Sequence, residues 1–174
     1  MRPSHVQGVS LLELLCALAI LTIVLSIAAP AVSSFKQKQQ VRSVQTDLLK
    51  MTRLARYLAM TRQARVTLCP LTELGICKRE WTESLSTFVD SNGNRRLDPG
   101  EDIVGILQLP GEITLHWRGM LPANSIHFSG QGVTFVSNGT MSICPQNKSV
   151  KAGAMVVNRQ GRVRLASKSA RCPE

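Results

Sequence analysis

Residues 8–29 read GVSLLELLCALAILTIVLSIAA, and this stretch decides how the rest of the chain is organised. From Val9 to Ala29 there are 21 residues with a single charge, that of Glu13. At about 1.5 Å of rise per residue, a helix of this length spans the roughly 30 Å hydrocarbon layer of a bilayer. An ionised group inside that layer costs about 2.5–3.5 kcal/mol on insertion scales, so Glu13 needs a partner.

A secretory signal peptide and a plain single-span anchor are the simplest interpretations of this segment. The apolar run is too long for a signal peptide, Glu13 interrupts it, and no small-x-small cleavage site ends it. A plain anchor leaves Glu13 unexplained, because its side chain could only partly reach the membrane interface. Neither interpretation accounts for the acid.

The residues around Glu13 resemble the N-terminal signature of the type IV pilin family, a short basic leader ending in Gly followed by an apolar run that contains one Glu. Here the leader is 1–8 and the run begins Val9-Ser10-Leu11-Leu12-Glu13-Leu14. The resemblance implies that a prepilin peptidase cuts after Gly8 and that the new amine on Val9 is methylated, although the family usually has Phe or Met there. It also implies that the N-terminus of a neighbouring subunit pairs with Glu13, which offsets the burial of that acid.

A helical pattern continues beyond the apolar run. Apolar residues recur at helical spacings of 3, 4, 3, 4 and 3 at Val41, Val44, Leu48, Met51, Ala55 and Leu58. Because the pattern resumes after Pro30, that proline is expected to kink the helix and not to end it. We therefore predict one helix from about Ser10 to Arg65, and three segments: a leader (1–8), a long helix (9–65, membrane-spanning over 9–29) and a β-rich globular domain (66–174).

Short alternating runs separated by Gly, Pro, Asn and Asp replace the helical pattern after Arg65. They predict an α+β fold, in which an antiparallel β-sandwich or curled sheet packs on the helix. The expected strands are Arg65–Cys69, Leu85–Val89, Ile103–Leu109, Ile113–Arg118, Ser125–Phe128, Val133–Val136, Thr140–Cys144, Ala152–Asn158 and Arg162–Ala166.

The cysteines and the charges give opposing indications about the compartment of the domain. Lys36, Lys38 and Arg42 follow the span, so the positive-inside rule alone would keep the domain in the cytoplasm. Four cysteines outside the span, without zinc-module spacing, instead predict two disulfides in an oxidising space, with three possible pairings of Cys69, Cys77, Cys144 and Cys172. The pilin resemblance decides for export: a bacterial inner-membrane protein with a single span and a periplasmic domain, later incorporated into a pilus or pseudopilus.

The second half of the chain resembles one pilin branch, the FimT, FimU and GspH minor pilins and pseudopilins, with FimT-type DNA-uptake pilins the nearest. The resemblance is carried by the order of several short pieces rather than by any one of them. These are 66–69 with Cys77 and Trp81, 88–94 running to 98–101, 126–128, 139–144 and 156–164. It implies other pilins or pseudopilins, prepilin peptidase and the inner membrane as partners.

Residues 90–101 place oxygen atoms at positions 1, 3, 5, 9 and 12, which is the spacing of a calcium loop. The residues concerned are Asp90, Asn92, Asn94, Asp98 and Glu101. Position 6, where that loop needs glycine for its sharp turn, is Arg95. A polar turn between two strands is the simpler interpretation, so we expect no metal and keep calcium as a weak alternative.

The last third of the chain is strongly basic, within a protein of net charge +10. From Ile113 to Pro173 there are eight basic residues and no Asp or Glu. Arg162 and Arg164 of the sequence Gly-Arg-Val-Arg would project from one face of a strand, and the planar guanidinium suits phosphate. FimT-type pilins use Gly-Arg-x-Arg at this place to bind DNA in natural transformation, so the resemblance gives that role to Arg162 and Arg164. The other candidates are Gly161 and, by charge alone, Arg159, Lys148, Lys151, Lys168 and Arg171.

Double-stranded DNA, bound by its backbone without sequence preference, is therefore the expected ligand, since aromatic residues make up only 4% of the chain. The alternative is a structural minor pilin or type II secretion pseudopilin that primes or caps filament assembly and binds no DNA. The basic residues of the helix, among them Arg53 and Arg56, are expected to face neighbouring subunits or lipid headgroups. No nucleophile–base pair or phosphate loop is present, so neither an enzyme nor a cofactor is predicted.

Overall fold

The computed structural model describes residues 10–120, 124–166 and 170–173, although not the side chain of Pro30. Within these ranges one long helix, α1 (Leu11–Arg62), precedes eight strands. The predicted continuation of the helix past Pro30 is confirmed, whereas the kink stays a prediction. The strands are β1 (Val66–Cys69), β2 (Ser84–Val89), β3 (Ile103–Gln108), β4 (Ile113–Gly119), β5 (Ile126–Phe128), β6 (Gly139–Pro145), β7 (Gly153–Val157) and β8 (Val163–Leu165).

The strands form two four-stranded antiparallel sheets, with the orders β3-β2-β1-β5 and β4-β6-β7-β8. The predicted α+β class is thus confirmed, with two sheets in place of one curled sheet. In β4 the side chains alternate between buried and exposed, as a half-buried strand requires, whereas almost all of β2 is buried. The edge strands are β3 and β5 in the first sheet, and β4 and β8 in the second.

The second half of α1 supplies one side of the hydrophobic core. Val41, Val44, Leu48 and Ala55 of the predicted stripe are buried, and Met51 and Leu58 are partly buried against the same cluster. Thr52 is also fully buried, and its hydroxyl donates a 2.6 Å hydrogen bond to the carbonyl oxygen of Leu48. This bond satisfies the polar atom inside the core.

The described chain divides between Lys36 and Gln37 into two units. In the first unit, α1 offers exposed apolar side chains such as Leu11, Ile20 and Ile27, and it contains the window that is long and apolar enough to cross a membrane. The second unit contains every buried apolar residue of the described chain. It also contains the disulfides Cys69–Cys77 and Cys144–Cys172, which is one of the three pairings that the cysteine count allows.

The strand predicted over Val133–Val136 is wrong, because these residues form a turn. The amide of Ser137 donates a 2.8 Å hydrogen bond to the carbonyl oxygen of Thr134, and Phe135 has a φ of 45°. The Thr134 hydroxyl donates a 2.8 Å bond to the carbonyl oxygen of Asn158. The turn is therefore fastened to the connection between β7 and β8 and adds no strand to a sheet.

Candidate nucleic-acid interface

The connection between β7 and β8 is a tight turn, Asn158 to Arg162, that displays part of the predicted basic surface. The Asn158 amide donates to the Arg162 carbonyl oxygen at 3.1 Å, and the Asn158 side-chain oxygen accepts from the Arg162 amide at 2.8 Å. The amide of Gly161 donates to the carbonyl oxygen of Asn158 at 2.9 Å. Asn158 thus fixes the turn, and the side chains of Arg159 and Arg162 point to solvent from a defined backbone.

Arg162 and Arg164 flank the buried Val163, and both are exposed. The predicted strand was Arg162–Ala166, but β8 begins at Val163, so Arg162 lies immediately before the strand. The alternation of exposed and buried residues nevertheless extends through Arg162, because Val163 packs into the core on the opposite side. The two guanidinium groups are consequently presented at the free edge of the second sheet.

Gly161 brings this turn against the rest of the domain. Its φ is 73°, and a Cβ atom at this position would collide with the carbonyl oxygen of Gly132. A Cβ atom would also lie 3.2 Å from Nε of Arg56 if added to Gly161, and 3.3 Å from it if added to Gly132. The close approach at Gly161 is therefore made to another turn of the chain and to α1.

Arg162 lies in a cleft that also contains arginines of α1. The cleft measures about 350 Å³ and is lined by Arg53, Arg56, Tyr57, Met60, Gly161, Arg162 and Val163. Sequence reasoning missed the contribution of α1, since it assigned the helix bases to neighbouring subunits or lipid. The i, i+3 spacing of Arg53 and Arg56 on one helix face was the available signal, but nothing local indicates that this face meets the β7–β8 turn.

The remaining basic candidates lie at the other end of β7. Lys148 and Lys151 line a cleft of about 490 Å³ beside the Cys144–Cys172 disulfide, and Arg171 is exposed in the tail that this bond holds. Lys151 also shares a 500 Å³ groove with Lys38 and Arg42 of α1. Lys168 lies outside the described residues. The predicted basic surface is therefore divided into a hairpin group (Arg159, Arg162 and Arg164) and a second group at the other end of β7 (Lys148, Lys151 and Arg171).

The candidate calcium loop connects β2 to β3 and is closed by its own hydrogen bonds. The Glu101 carboxylate accepts from the amides of Ser91 and Asp98 at 2.8 and 3.0 Å. Hydrogen bonds from the Asn92 and Asn94 side chains hold the pKa of the Asp98 carboxyl below its ordinary value. Among the described residues no group of three or more His, Cys, Asp or Glu is arranged to hold a metal ion.

Arg95, which stands where a calcium loop has its turn glycine, nevertheless adopts the left-handed conformation, with a φ of 61°. Its amide and the hydroxyl of Thr67 donate to Oδ2 of the buried Asp90, at 3.2 and 2.7 Å. Arg65 donates a 2.8 Å bond from Nη1 to the carbonyl oxygen of Gly93. These contacts give the residues at positions 1, 4 and 6 of the loop structural partners within the domain.

His127 of β5 is buried near this loop, with no hydrogen-bond partner for Nδ1 in the described structure. Burial, followed by the charges of Arg65 and Arg95, lowers the pKa of His127 to about 4, although Asp90 acts in the opposite direction. The imidazole is therefore neutral in the folded protein at ordinary pH.

Of the predicted processing residues, Gly8 and Val9 lie outside the described residues, whereas Glu13 lies in the first turn of α1.

Comparisons with known proteins agree with this architecture. The family model described as type II transport protein GspH matches residues 45–161. The model of the prokaryotic N-terminal methylation motif matches residues 3–29. The first match therefore ends at Gly161, and Arg162 and Arg164 lie beyond it.

One curated relative is the pilin-like protein PilA1 of Thermus thermophilus, 38% identical over 98 residues. The match covers 55% of this chain and 56% of that protein, so it spans about half the length of the relative. Among solved structures, the minor pilin FimU of Pseudomonas aeruginosa has a TM-score of 0.59 at 17% identity, covering 78% of this chain and 96% of FimU. The minor pseudopilin EpsH of the Vibrio cholerae type II secretion system has a TM-score of 0.57 at 12% identity, with 78% and 99% covered. At these identities the two structures show the shared fold alone.

Proposed function

The chain belongs to the GspH family, and on that premise we propose that it is a minor pilin or pseudopilin that binds the backbone of double-stranded DNA through the hairpin group. The first half of α1 supports a filament role, because its exposed apolar side chains need a bilayer or other apolar helices to cover them. We propose prepilin cleavage after Gly8, methylation of Val9 and a periplasmic domain for the same chain.

The observation that carries the DNA-binding proposal is the pair of exposed arginines at a free sheet edge. Arg162 and Arg164 flank a buried valine on a backbone fixed by Asn158, so the backbone that carries both side chains is ordered before any ligand arrives. The planar guanidinium loses less entropy for each hydrogen bond that it forms to phosphate than the lysine ammonium does. Because these contacts are to phosphate and not to base edges, the binding would be insensitive to sequence and strongly dependent on salt.

Residues 37–174 are suited to a test in solution, since this unit holds the whole core and both disulfides. Fluorescence anisotropy with a labelled duplex at several salt concentrations would give both Kd and its salt dependence. Changing Arg162 and Arg164 to Gln should weaken binding and reduce the slope of log Kobs against log salt by about 1.8, for two lost phosphate contacts. The control is Arg79→Gln with Arg96→Gln, which makes the same charge change at exposed residues outside the hairpin group and outside the second sheet.

Each outcome assigns a function. Loss of DNA binding in the variant with Arg162 and Arg164 changed to Gln (the hairpin variant), but not in the control, supports DNA uptake in natural transformation as the role of the chain. Equal binding by the hairpin variant and the control would reject these arginines as the site. If the unmodified unit does not bind DNA, the alternative stands: a subunit that primes or caps a pilus or a type II secretion pseudopilus.

A further inference from the structure

We propose that Arg53 and Arg56 of α1 bind the same phosphate backbone as Arg162, so that the backbone of a DNA strand lies across the cleft between α1 and the β7–β8 turn. This inference rests on the proposed DNA binding and enlarges its site. The cleft joins side chains that are more than a hundred residues apart in sequence, and its lining contains no acidic residue among the described ones. The site is therefore a product of the tertiary fold and not of the Gly-Arg-Val-Arg segment alone.

The positive charges of the cleft are not neutralised within the described part of the chain. None of the three arginines forms an ion pair there, whereas the neighbouring helix bases Lys50 and Arg62 pair with Asp47 and Asp102. Three guanidinium groups around one cleft repel one another, and an anion bound between them would relieve that repulsion. A chain of phosphodiesters supplies such anions at a regular spacing.

Arg56 brings hydrogen-bond donors to the cleft. Its Nε atom is buried in the described structure without a hydrogen-bond partner. Because this atom is not exposed, a ligand in the cleft would contact the terminal nitrogens of the guanidinium instead. The rest of the Arg56 side chain is partly exposed and lines the cleft, where its guanidinium can donate to a bound phosphate oxygen.

The geometry of α1 adds a second arginine beside Arg56. Arg53 lies three residues earlier, which places it on the same helix face with an axial rise of about 4.5 Å. Arg53 is exposed, and both helix arginines line the same cleft as Arg162 of the β7–β8 turn. Gly132 and Gly161 leave room for the Arg56 side chain between the two walls. Phosphate contacts can therefore be made from both sides of the cleft.

The test uses residues 37–174 and the anisotropy assay described for the hairpin, with Arg53→Gln and Arg56→Gln combined. We expect at least about tenfold weaker duplex binding at about 0.1 M salt, together with a salt slope reduced by about 1.8. The Arg79→Gln and Arg96→Gln control should change Kd by less than about twofold, and the thermal unfolding midpoints should show that all variants are folded. A second variant, Arg53→Lys with Arg56→Lys, keeps the charge and should keep the slope while lowering affinity, because lysine lacks the two-pronged bond.

The outcomes separate this inference from the proposed function. Loss of binding in the hairpin variant with control-like binding by the helix variant would overturn the inference and leave the proposed function standing. Absence of binding by the unmodified unit would overturn both. Co-sedimentation with vesicles of phosphatidylglycerol tests the competing ligand: a helix variant that loses vesicle binding yet keeps DNA binding would assign Arg53 and Arg56 to lipid headgroups.

Discussion

The backbone of Gly161 lies against the carbonyl oxygen of Gly132, in a space that cannot contain a Cβ atom. Both glycines have a φ of 73°, a conformation that side-chain-bearing residues rarely adopt. Changing Gly161 to Ala should therefore lower the free energy of unfolding by about 3 kcal/mol, because backbone strain and a steric collision add together. Urea denaturation of residues 37–174, followed by circular dichroism, measures this loss.

Gly100 provides the matched control for that substitution. It also has a positive φ, of 90°, but no atom lies within 4 Å of its would-be Cβ. Gly100→Ala should cost only the strain, about 1 kcal/mol. The contact between the two turns would be refuted if Gly161→Ala were no more damaging than Gly100→Ala.

Burial of His127 should make the domain less stable in mild acid. The pKa falls from 6.5 to about 4 on folding, so the unfolded chain binds a proton in this range while the native protein does not. The contribution of His127 to the free energy of unfolding is complete above pH 6.5 and decreases as the pH falls. Near pH 4 it is lost, which lowers the free energy of unfolding by on the order of 3 kcal/mol. Urea denaturation from about pH 7.5 to about pH 4.5 would measure it. His127→Phe should flatten the profile over that range, and an unchanged slope would assign the pH dependence to other groups.

Calcium should leave the stability of the domain unchanged. The carboxylate of Glu101 is already occupied by two backbone amides, and the Asp98 carboxylate accepts from two asparagine side chains. Binding an ion would require these hydrogen bonds to be exchanged for metal contacts. Differential scanning calorimetry with and without millimolar calcium is the direct measurement. A calcium-dependent rise in the unfolding midpoint that disappears in Asp98→Asn would show that the loop does bind the ion.

Glu13→Gln should leave membrane insertion intact and reduce incorporation into filaments. The substitution removes the charge that is expected to attract the N-terminus of a neighbour, while the apolar character of α1 is kept. Immunoblots of sheared filaments and of membrane fractions from cells that make the full chain would compare the two pools. Thr22→Val is the control, since the Thr22 hydroxyl donates to the Ala19 carbonyl oxygen of the same helix. Normal incorporation of the Glu13 variant would show that Glu13 is not needed for pairing with a neighbouring subunit.

Much of the fold could be predicted because local patterns carry it. The spacing of Val41, Val44 and Leu48 indicated the helix face that packs on the core, and those residues are buried. The alternation in β4 likewise indicated a half-buried strand. At Val133–Val136 the same kind of pattern misled, because the hydroxyl of Thr134 bonds to the carbonyl oxygen of Asn158, far away in sequence.

The candidate site was only partly predictable for a related reason. Arg162 and Arg164 could be selected from a short basic motif and the expected exposure of a strand face. Arg56 lies beside Arg162 where the turns of Gly132 and Gly161 meet, and no helical or strand periodicity relates these two turns. The motif and its family resemblance therefore indicated the hairpin, but nothing in the sequence indicated the opposite wall of the cleft.

Helix α1 runs without interruption from Leu11 to Arg62, so Arg53 and Arg56 belong to the same helix as the apolar stem. DNA held only by the β7–β8 hairpin would pull on β8, an edge strand of three residues whose hydrogen bonds to β7 could break one after another. DNA that is also held by Arg53 and Arg56 would transfer part of that tension to the backbone of α1. The two walls of the cleft would thereby divide a mechanical load between a short edge strand and the long N-terminal helix.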